Sequence, residues 1–258
     1  MISVVILTKN EEKNIIDCLE SIAWVDEIII VDDYSFDRTI ELSESLKNKK
    51  INIYKRNLDD NFSEQRNFGL SKAKGDWVLF LDADERVPEA LVSEIFNFYP
   101  PAGGSIFNSY DGFYVKRRDF MWGKELKYGE TGNIKLLRLA KKGTGVWEGK
   151  VHEKWIIKGK VGELRNPIFH YPHPAITDFL KEINSYTSIR AKELFDKRVK
   201  VYTWQIIFYP IAKFTLNFFV RQGFRDGLQG LVFAIFMSFH SFLVKGKLWL
   251  LWQKQKQY

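Results

Sequence analysis

At 258 residues, 45% hydrophobic and 28% charged, the chain has the composition of a globular protein with a large core, which sets aside disordered and disulfide-stapled classes. Its single cysteine, Cys18, cannot close an internal disulfide, so a reducing compartment and a plain core role are expected for it. The net charge of +7 is uneven: Lys197 to Tyr258 carries ten Lys/Arg and one acid, Asp226, which leaves 29 bases and 31 acids of the totals of 39 and 32 in residues 1–196.

Residues 2–7, ISVVIL, form a continuous β-branched apolar run, as in a strand buried on both faces. No basic n-region or small-residue cleavage site accompanies it, so it reads as a strand and not as a signal peptide. Thr8-Lys9-Asn10-Glu11 supplies cap-forming types, and Ile15, Ile16, Leu19 and Ile22 follow at helical spacing. A second buried strand covers Glu27 to Asp33. Ser35 and Asp37 are placed to cap the next helix, marked by Ile40, Leu42 and Leu46. INIY, 51–54, is a third strand, and 61–75 a helix closed by Gly75 as a left-handed C-cap. The fourth strand is 77–81, after which Pro88 suits a helix start. This β-α-β-α-β-α-β order specifies a mostly parallel sheet flanked by helices, with ligands bound beyond the carboxyl ends of the strands. No Gly-x-Gly-x-x-Gly or Walker loop follows any strand, so dinucleotide and P-loop readings lack a phosphate cradle.

Residues 100–175 have short alternating runs such as GFYVKR and IKLLRL, which predict antiparallel strands walling the site. From about Asp178 the chain reads as helical. Gly227 to Val244 is uncharged over 18 residues, the lower limit for a membrane span. Leu228, Leu231, Val232, Ile235, Phe236, Phe239, Phe242 and Leu243 share one stripe, which favours a helix lying in a membrane interface. Arg221, Arg225, Lys245 and Lys247 flank it and suit anionic headgroups. The alternative is a helical hairpin packed on the body or in a dimer interface.

The fourth strand ends in Asp82-Ala83-Asp84-Glu85. Two carboxylates one residue apart at a strand end can reach a hard divalent cation, Mg2+ or Mn2+, that also binds substrate phosphates. Glu85 reads as a helix-start charge. Phosphatases of the haloacid dehalogenase type also carry Asp-x-Asp after a strand, but after the first strand, which here ends in Thr-Lys-Asn-Glu.

Taken together, VVILTKNEEKNIIDCLESI, DEIIIVDDYSFDRT and QRNFGLSKAKGDWVLFLDADE resemble the inverting family-2 glycosyltransferases of the GT-A fold, in order over residues 2–90. VWEGKVHEKW and the tail resemble a narrower subgroup, bacterial enzymes that extend the lipopolysaccharide inner core. The resemblance implies a GT-A domain over 1–177, with a nucleotide-binding half to 99 and an acceptor half from 100. A basic, helical, membrane-associating appendage follows over 178–258. It implies that Thr8, Asn10, Glu11, Asp32 and Asp33 line the nucleotide pocket, that Arg66 contacts base or diphosphate, and that Asp82 faces the ribose or metal. Asp84 would ligate the metal, and His170 would add a metal or diphosphate contact.

Strand alternation allows only one of Asp32 and Asp33 to face a ligand; a helix N-cap is the structural alternative for the pair, and a surface ion pair for Arg66. An inverting transfer needs a base, for which Glu153 and Glu148 are the candidates; the subgroup likeness favours Glu153, with His152 orienting or covering the site. The Glu-Asp pair that often carries the base in family 2 is missing. Trp147 and Trp155 suit either stacking on sugar or buried packing. The expected partners are a UDP-sugar donor, a lipid-linked glycan acceptor and the inner face of the cytoplasmic membrane; homo-oligomerisation stays open. Competing readings are transfer to polyprenyl phosphate or a capsule intermediate, and a non-catalytic nucleic-acid binder. The tail aromatics are grouped and not interleaved with bases, which argues against nucleic acid.

Overall fold

The structure, a computed structural model, describes residues 1–46, 49–98, 109–150, 153–172 and 175–256, so His152 lies outside the described residues. The chain forms two compact units, Met1–Arg117 with Lys135–His170, and Arg118–Ile134 with Tyr171–Tyr258.

In the first unit β1 (Ile2–Thr8), β2 (Glu27–Asp32), β3 (Ile51–Lys55) and β4 (Trp77–Asp82) pair in parallel in the order β3-β2-β1-β4. The helices α1 (Ile15–Ser21), α2 (Thr39–Ser45) and α3 (Phe62–Lys72) form the crossovers. Burial on both faces explains the unbroken apolar runs. Val4, Ile6, Ile28, Ile30, Leu79 and Leu81 pack with Cys18 and Leu19 of α1 and with Leu91 and Ile95 of α4 (Glu89–Phe98). Val5, Ile29, Val31, Val78 and Phe80 pack on the other face. Cys18 is fully buried, and burial raises its thiol pKa, as a core role requires.

Register places the polar strand ends side by side: Thr8 lies opposite Asp32, and Leu7 opposite Asp82. Past β4 the sheet becomes mixed. β8 (Ile134–Lys141) runs antiparallel to β4, followed by β6 (Gly112–Met121), which β11 (Val161–Glu163) also joins in parallel, and by β12 (Ile168–His170) and β5 (Glu85–Arg86). A separate hairpin joins β9 (Gly145–Glu148) to β10 (Lys154–Ile157).

Two glycines set how closely α3 lies on this sheet. A Cβ on Gly69 would sit 2.4 Å from Val5 Cγ1, so only glycine lets α3 approach β1 this closely. Gly75 is not the C-cap expected of it. The helix stops at Lys72 with an extended Ala73, and Gly75 instead passes against β1, where a Cβ would meet Met1 O and Ser3 N at 2.8 Å.

In the second unit the helices α5 (Ile176–Asp196), α6 (Thr203–Thr215) and α7 (Leu228–Lys256) pack with β7 (Lys124–Leu126) and the end of β6 around Met121, Leu126, Phe179, Ile183 and Phe233. A π-helical turn, Leu216–Val220, follows α6. Helix α7 outruns the expected 227–244 stretch, and over Leu228–Gln255 it is long and apolar enough to cross a membrane by length and composition. Of its expected stripe, Leu228, Ile235, Phe239 and Phe242 are exposed and Leu231, Val232, Phe236 and Leu243 half-buried.

Candidate active site

The site starts from α3, whose Gln-Arg-Asn-x-Gly segment sits where Gly69 holds the helix against the sheet. Gln65 exchanges hydrogen bonds with Arg56, accepting from its guanidinium at 2.7 Å and donating to its carbonyl at 2.8 Å. Asn67 donates to Trp147 O and accepts from Trp147 N, both at 2.9 Å, tying the β9–β10 hairpin to α3. Between them Arg66, 5% exposed, lies over the Trp147 ring at 4.7 Å. Its Nε donates to Glu153 at 2.7 Å and its Nη2 to Asp82 at 2.8 Å. A surface ion pair is therefore excluded for Arg66.

Asp82 is held from the other side by Arg138 of β8, at 2.5 Å from Oδ2, and the same Arg138 nitrogen donates to Glu85 at 2.8 Å. Glu85 also accepts the Asp82 backbone N–H at 3.0 Å and is fully buried. This corrects its reading as a helix-start charge: α4 starts at Glu89, and Glu85 is an internal counter-ion. Burial favours the neutral carboxyl of Asp82, but the charges of Arg138 and Arg66 outweigh it and hold the group well below the usual range. Glu85 is instead raised by burial, with Asp82 adding to it and the charges of Arg138, His170 and Arg117 failing to offset it. Arg138 carried no role in the sequence reading. An arginine between Leu137 and Leu139, in a strand meant for the core, was the available signal, because a buried guanidinium needs a carboxylate partner.

Asp84 faces a different partner, with Oδ2 3.2 Å from His170 Nε2. Their strands explain the meeting, since His170 of β12 pairs with Glu85 of β5, next to Asp84. Burial works against ionisation of Asp84, yet the His170 charge and hydrogen bond lower its pKa overall. Glu11 shows the opposite balance. Burial, then the charge of Asp84, pushes its carboxyl up from 4.5 to about 7, with Asp82 and Asp37 adding and an Asn14 hydrogen bond opposing. Among the described residues no cluster of three or more His, Cys, Asp or Glu forms a ready metal cage.

The remaining strand-end residues divide by direction. Asp32 is fully buried, accepting from Thr8 Oγ1 at 3.0 Å and from the Ser35 backbone N–H at 2.9 Å. Asp33 accepts the Leu58 N–H at 3.0 Å and pairs with Lys9 at 3.0 Å, with its side chain 19% exposed. Alternation thus sends the two carboxylates opposite ways. Asp37, not either of these, takes the Thr39 N–H at the start of α2. Asn10, in left-handed conformation, accepts the Phe36 N–H at 2.9 Å and gives its own N–H to Ser35. Beside Asp33, Tyr34 is 54% and Phe36 87% exposed, two aromatic faces with no partner role in the sequence reading.

Glu148 is exposed at the end of β9, while Glu153 is drawn inward by Arg66, with its side chain 13% exposed. Trp147 and Trp155 are buried, stacked at 5.4 Å and packed edge-on against Phe80. They form core, and neither is available as a sugar platform.

A parallel β3-β2-β1-β4 sheet extended by antiparallel strands, with acids gathered at the ends of β2 and β4, is the architecture of a GT-A glycosyltransferase. Residues 3–145 match the Glycosyl transferase family 2 domain, and the chain belongs to that family. It is 28% identical over 253 residues to the lipopolysaccharide core biosynthesis glycosyltransferase LpsC of Rhizobium meliloti, across 96% of this chain and 92% of that protein. An uncharacterized glycosyltransferase of Rickettsia typhi is also 28% identical, over 258 residues, 96% of this chain and 86% of the relative. The crystal structure of residues 1–349 of S. aureus TarS in complex with UDP-GlcNAc shares the fold, with TM-score 0.52 and 14% identity over 99% of this chain and 91% of that one.

Proposed function

We propose that this enzyme is an inverting, divalent-metal-assisted glycosyltransferase that takes a sugar from a UDP-sugar and adds it to a lipid-linked glycan, such as the lipopolysaccharide core, at the cytoplasmic face of the membrane. The observation that carries the reading is the guanidinium bridge in which Arg66 joins Asp82, from the donor-side strand ends, to Glu153, the candidate base. The relation to LpsC favours a lipopolysaccharide acceptor over polyprenyl phosphate or a capsule intermediate, and the TarS complex favours a uridine donor.

In this reading Asp33, Glu11 and the exposed faces of Tyr34 and Phe36 receive the base and ribose, and Asp32 with Thr8 braces the loop from inside. Asp84 and His170 would hold Mg2+ or Mn2+. Such ions take one or two protein carboxylates and complete their shell with water and substrate phosphates, so an Asp–His pair without a full cage fits. Burial first, and then the charge of Asp84, raises the pKa of Glu11, and a cation beside Asp84 would relieve the second of these. When bound, the metal supplies charge neutralisation for the departing diphosphate.

The chain's own residues supply the rest. Glu153 accepts the proton of the acceptor hydroxyl as that oxygen attacks the anomeric carbon, and the bond to the diphosphate oxygen breaks on the opposite face. Arg66 orients Glu153, and its unpartnered Nη1 is a further donor for phosphate oxygen. Asp82 and Arg138 hold Arg66 in place.

The test is a panel of nucleotide-sugars with manganese, read by thermal shift and donor hydrolysis. A bound donor stabilises in proportion to concentration over Kd. Stabilisation by UDP-sugars is expected, and a flat response to every nucleotide-sugar would remove the reading.

A further inference from the structure

Helix α6 is amphipathic in the reverse sense for a water-facing helix. Its one cation, Lys213, turns inward to Glu130 at 2.8 Å, and Asn217, 1% exposed, donates to the other oxygen of the same carboxylate at 3.2 Å. At about 100° per residue, Trp204, Ile207, Phe208 and Ile211 fall within an arc of roughly 100° on the side opposite Lys213. All four are more than half exposed, and no described residue of α6 is buried. The apolar surface continues through Phe219 and Val220 of the π-helical turn.

Charge identifies what this face meets. Lys197, Arg198 and Lys200 precede α6, Arg221 and Arg225 follow it, and all five are exposed. The only acid after Asp196 is Asp226, which is 2% exposed and accepts the Tyr128 N–H. An apolar stripe flanked by Lys200, Arg221 and Arg225, with no exposed carboxylate from Lys197 to Gln255, complements an anionic lipid surface. A second copy of the chain fits less well, because a two-fold contact would set the same cations against each other. Helix α7 contributes from one side only. Phe233, Ala234, Val244 and Leu248 are buried against neighbouring helices, and Lys247 donates to Asn184, Thr187 and Ser188 of α5. A spanning α7 would carry those polar groups, and the Arg190–Glu193–Lys197 ion pairs of α5, into hydrocarbon.

We propose that α6 and the π-helical turn after it form the element that enters the headgroup layer of an anionic bilayer, with Trp204, Ile207, Phe208 and Ile211 downward and Lys200, Arg221 and Arg225 at the lipid phosphates. The inference rests on the reading of a membrane-bound acceptor and names the surface that reaches it; α7 lies alongside as support.

The experiment is co-sedimentation of the full chain with vesicles of phosphatidylethanolamine and phosphatidylglycerol, compared with phosphatidylcholine alone. Phe208→Glu with Ile211→Glu should lower partitioning onto the anionic vesicles roughly tenfold or more, with Tm and donor-induced stabilisation unchanged. Arg221→Glu with Arg225→Glu should abolish the preference for anionic lipid. Trp204→Phe, a mild change, should remove most of the vesicle-induced blue shift of tryptophan emission if the others misfold. Parent-like partitioning of the Phe208/Ile211 variant, or an unchanged blue shift in Trp204→Phe, overturns the proposal. So does a parent dimer that ignores vesicles and dissociates in the Phe208/Ile211 variant, which would assign the stripe to a second copy. Donor stabilisation is read on the same samples: its failure with vesicle binding intact removes the transferase reading alone, and the converse result removes the surface alone.

Discussion

Arg66 Nε lies 2.7 Å from Glu153 Oε1, a contact between residues 87 apart in the chain. The same guanidinium holds Asp82 at the end of β4, so one buried cation links the proposed base to the donor-side acids. The pairing orients the Glu153 carboxylate beside those acids.

Glu153→Gln keeps the shape and a hydrogen-bond acceptor for Arg66 but removes the proton acceptor. Transfer should slow by roughly 10²–10⁴-fold while donor Kd changes little. Steady-state kinetics with a calorimetric donor titration checks this, and a normal kcat would move the assignment to Glu148.

Arg138 donates to both Glu85 and Asp82, and with Arg66 it is one of two guanidiniums on Asp82. Arg138→Met leaves buried Glu85 and half-buried Asp82 short of charge, and stability should fall by about 3–5 kcal/mol in urea denaturation. Adding Glu85→Gln should recover part of that loss. A single-variant cost under about 1 kcal/mol would show that water compensates these groups.

Glu11 makes stability depend on pH. Its carboxyl holds a proton in the folded chain up to about 7, against 4.5 as the ordinary value, so the folded state binds more protons between these limits. The resulting support is complete below the ordinary value and is lost as pH rises through about 7. Glu11→Gln should therefore match the parent near pH 4 and exceed it by ~2 kcal/mol near pH 8. Parallel stability curves for the two proteins would refute the crowding.

Asp84→Ala removes the carboxylate beside His170 and leaves the Arg66–Asp82–Arg138 bridge untouched. The fold should survive, while manganese-dependent donor binding weakens by roughly tenfold or more, as the proposed ligand role of Asp84 requires. Donor titrations with manganese and with a chelator measure it; equal affinities in parent and variant would sink the metal role.

β1, β2 and β4 were legible because each is an apolar run buried on both faces, and the helices between the strands carry spacing and cap signals that act over a few residues. The candidates Asp84, Arg66 and Glu153 were drawn from motifs that lie just after β4, within α3 and between β9 and β10. Gly75 and Glu85 misled for one reason: each has a local reading, cap or helix-start charge, that contacts distant in sequence override. Gly75 is fixed by β1, about 70 residues earlier, and Glu85 by Arg138, 53 residues later.

By itself the sequence determined the alternation of the first four strands with helices, the acids at the strand ends and the basic, apolar tail, since all follow from local periodicity and composition. Only the tertiary structure decided that Asp82 is clasped by two guanidiniums, that Trp147 and Trp155 are core, and that α6 turns Lys213 inward and its apolar stripe outward. Those outcomes depend on which side chains meet across the chain. Burial makes each unpaired charge costly enough to select its partner, and no local pattern records that choice.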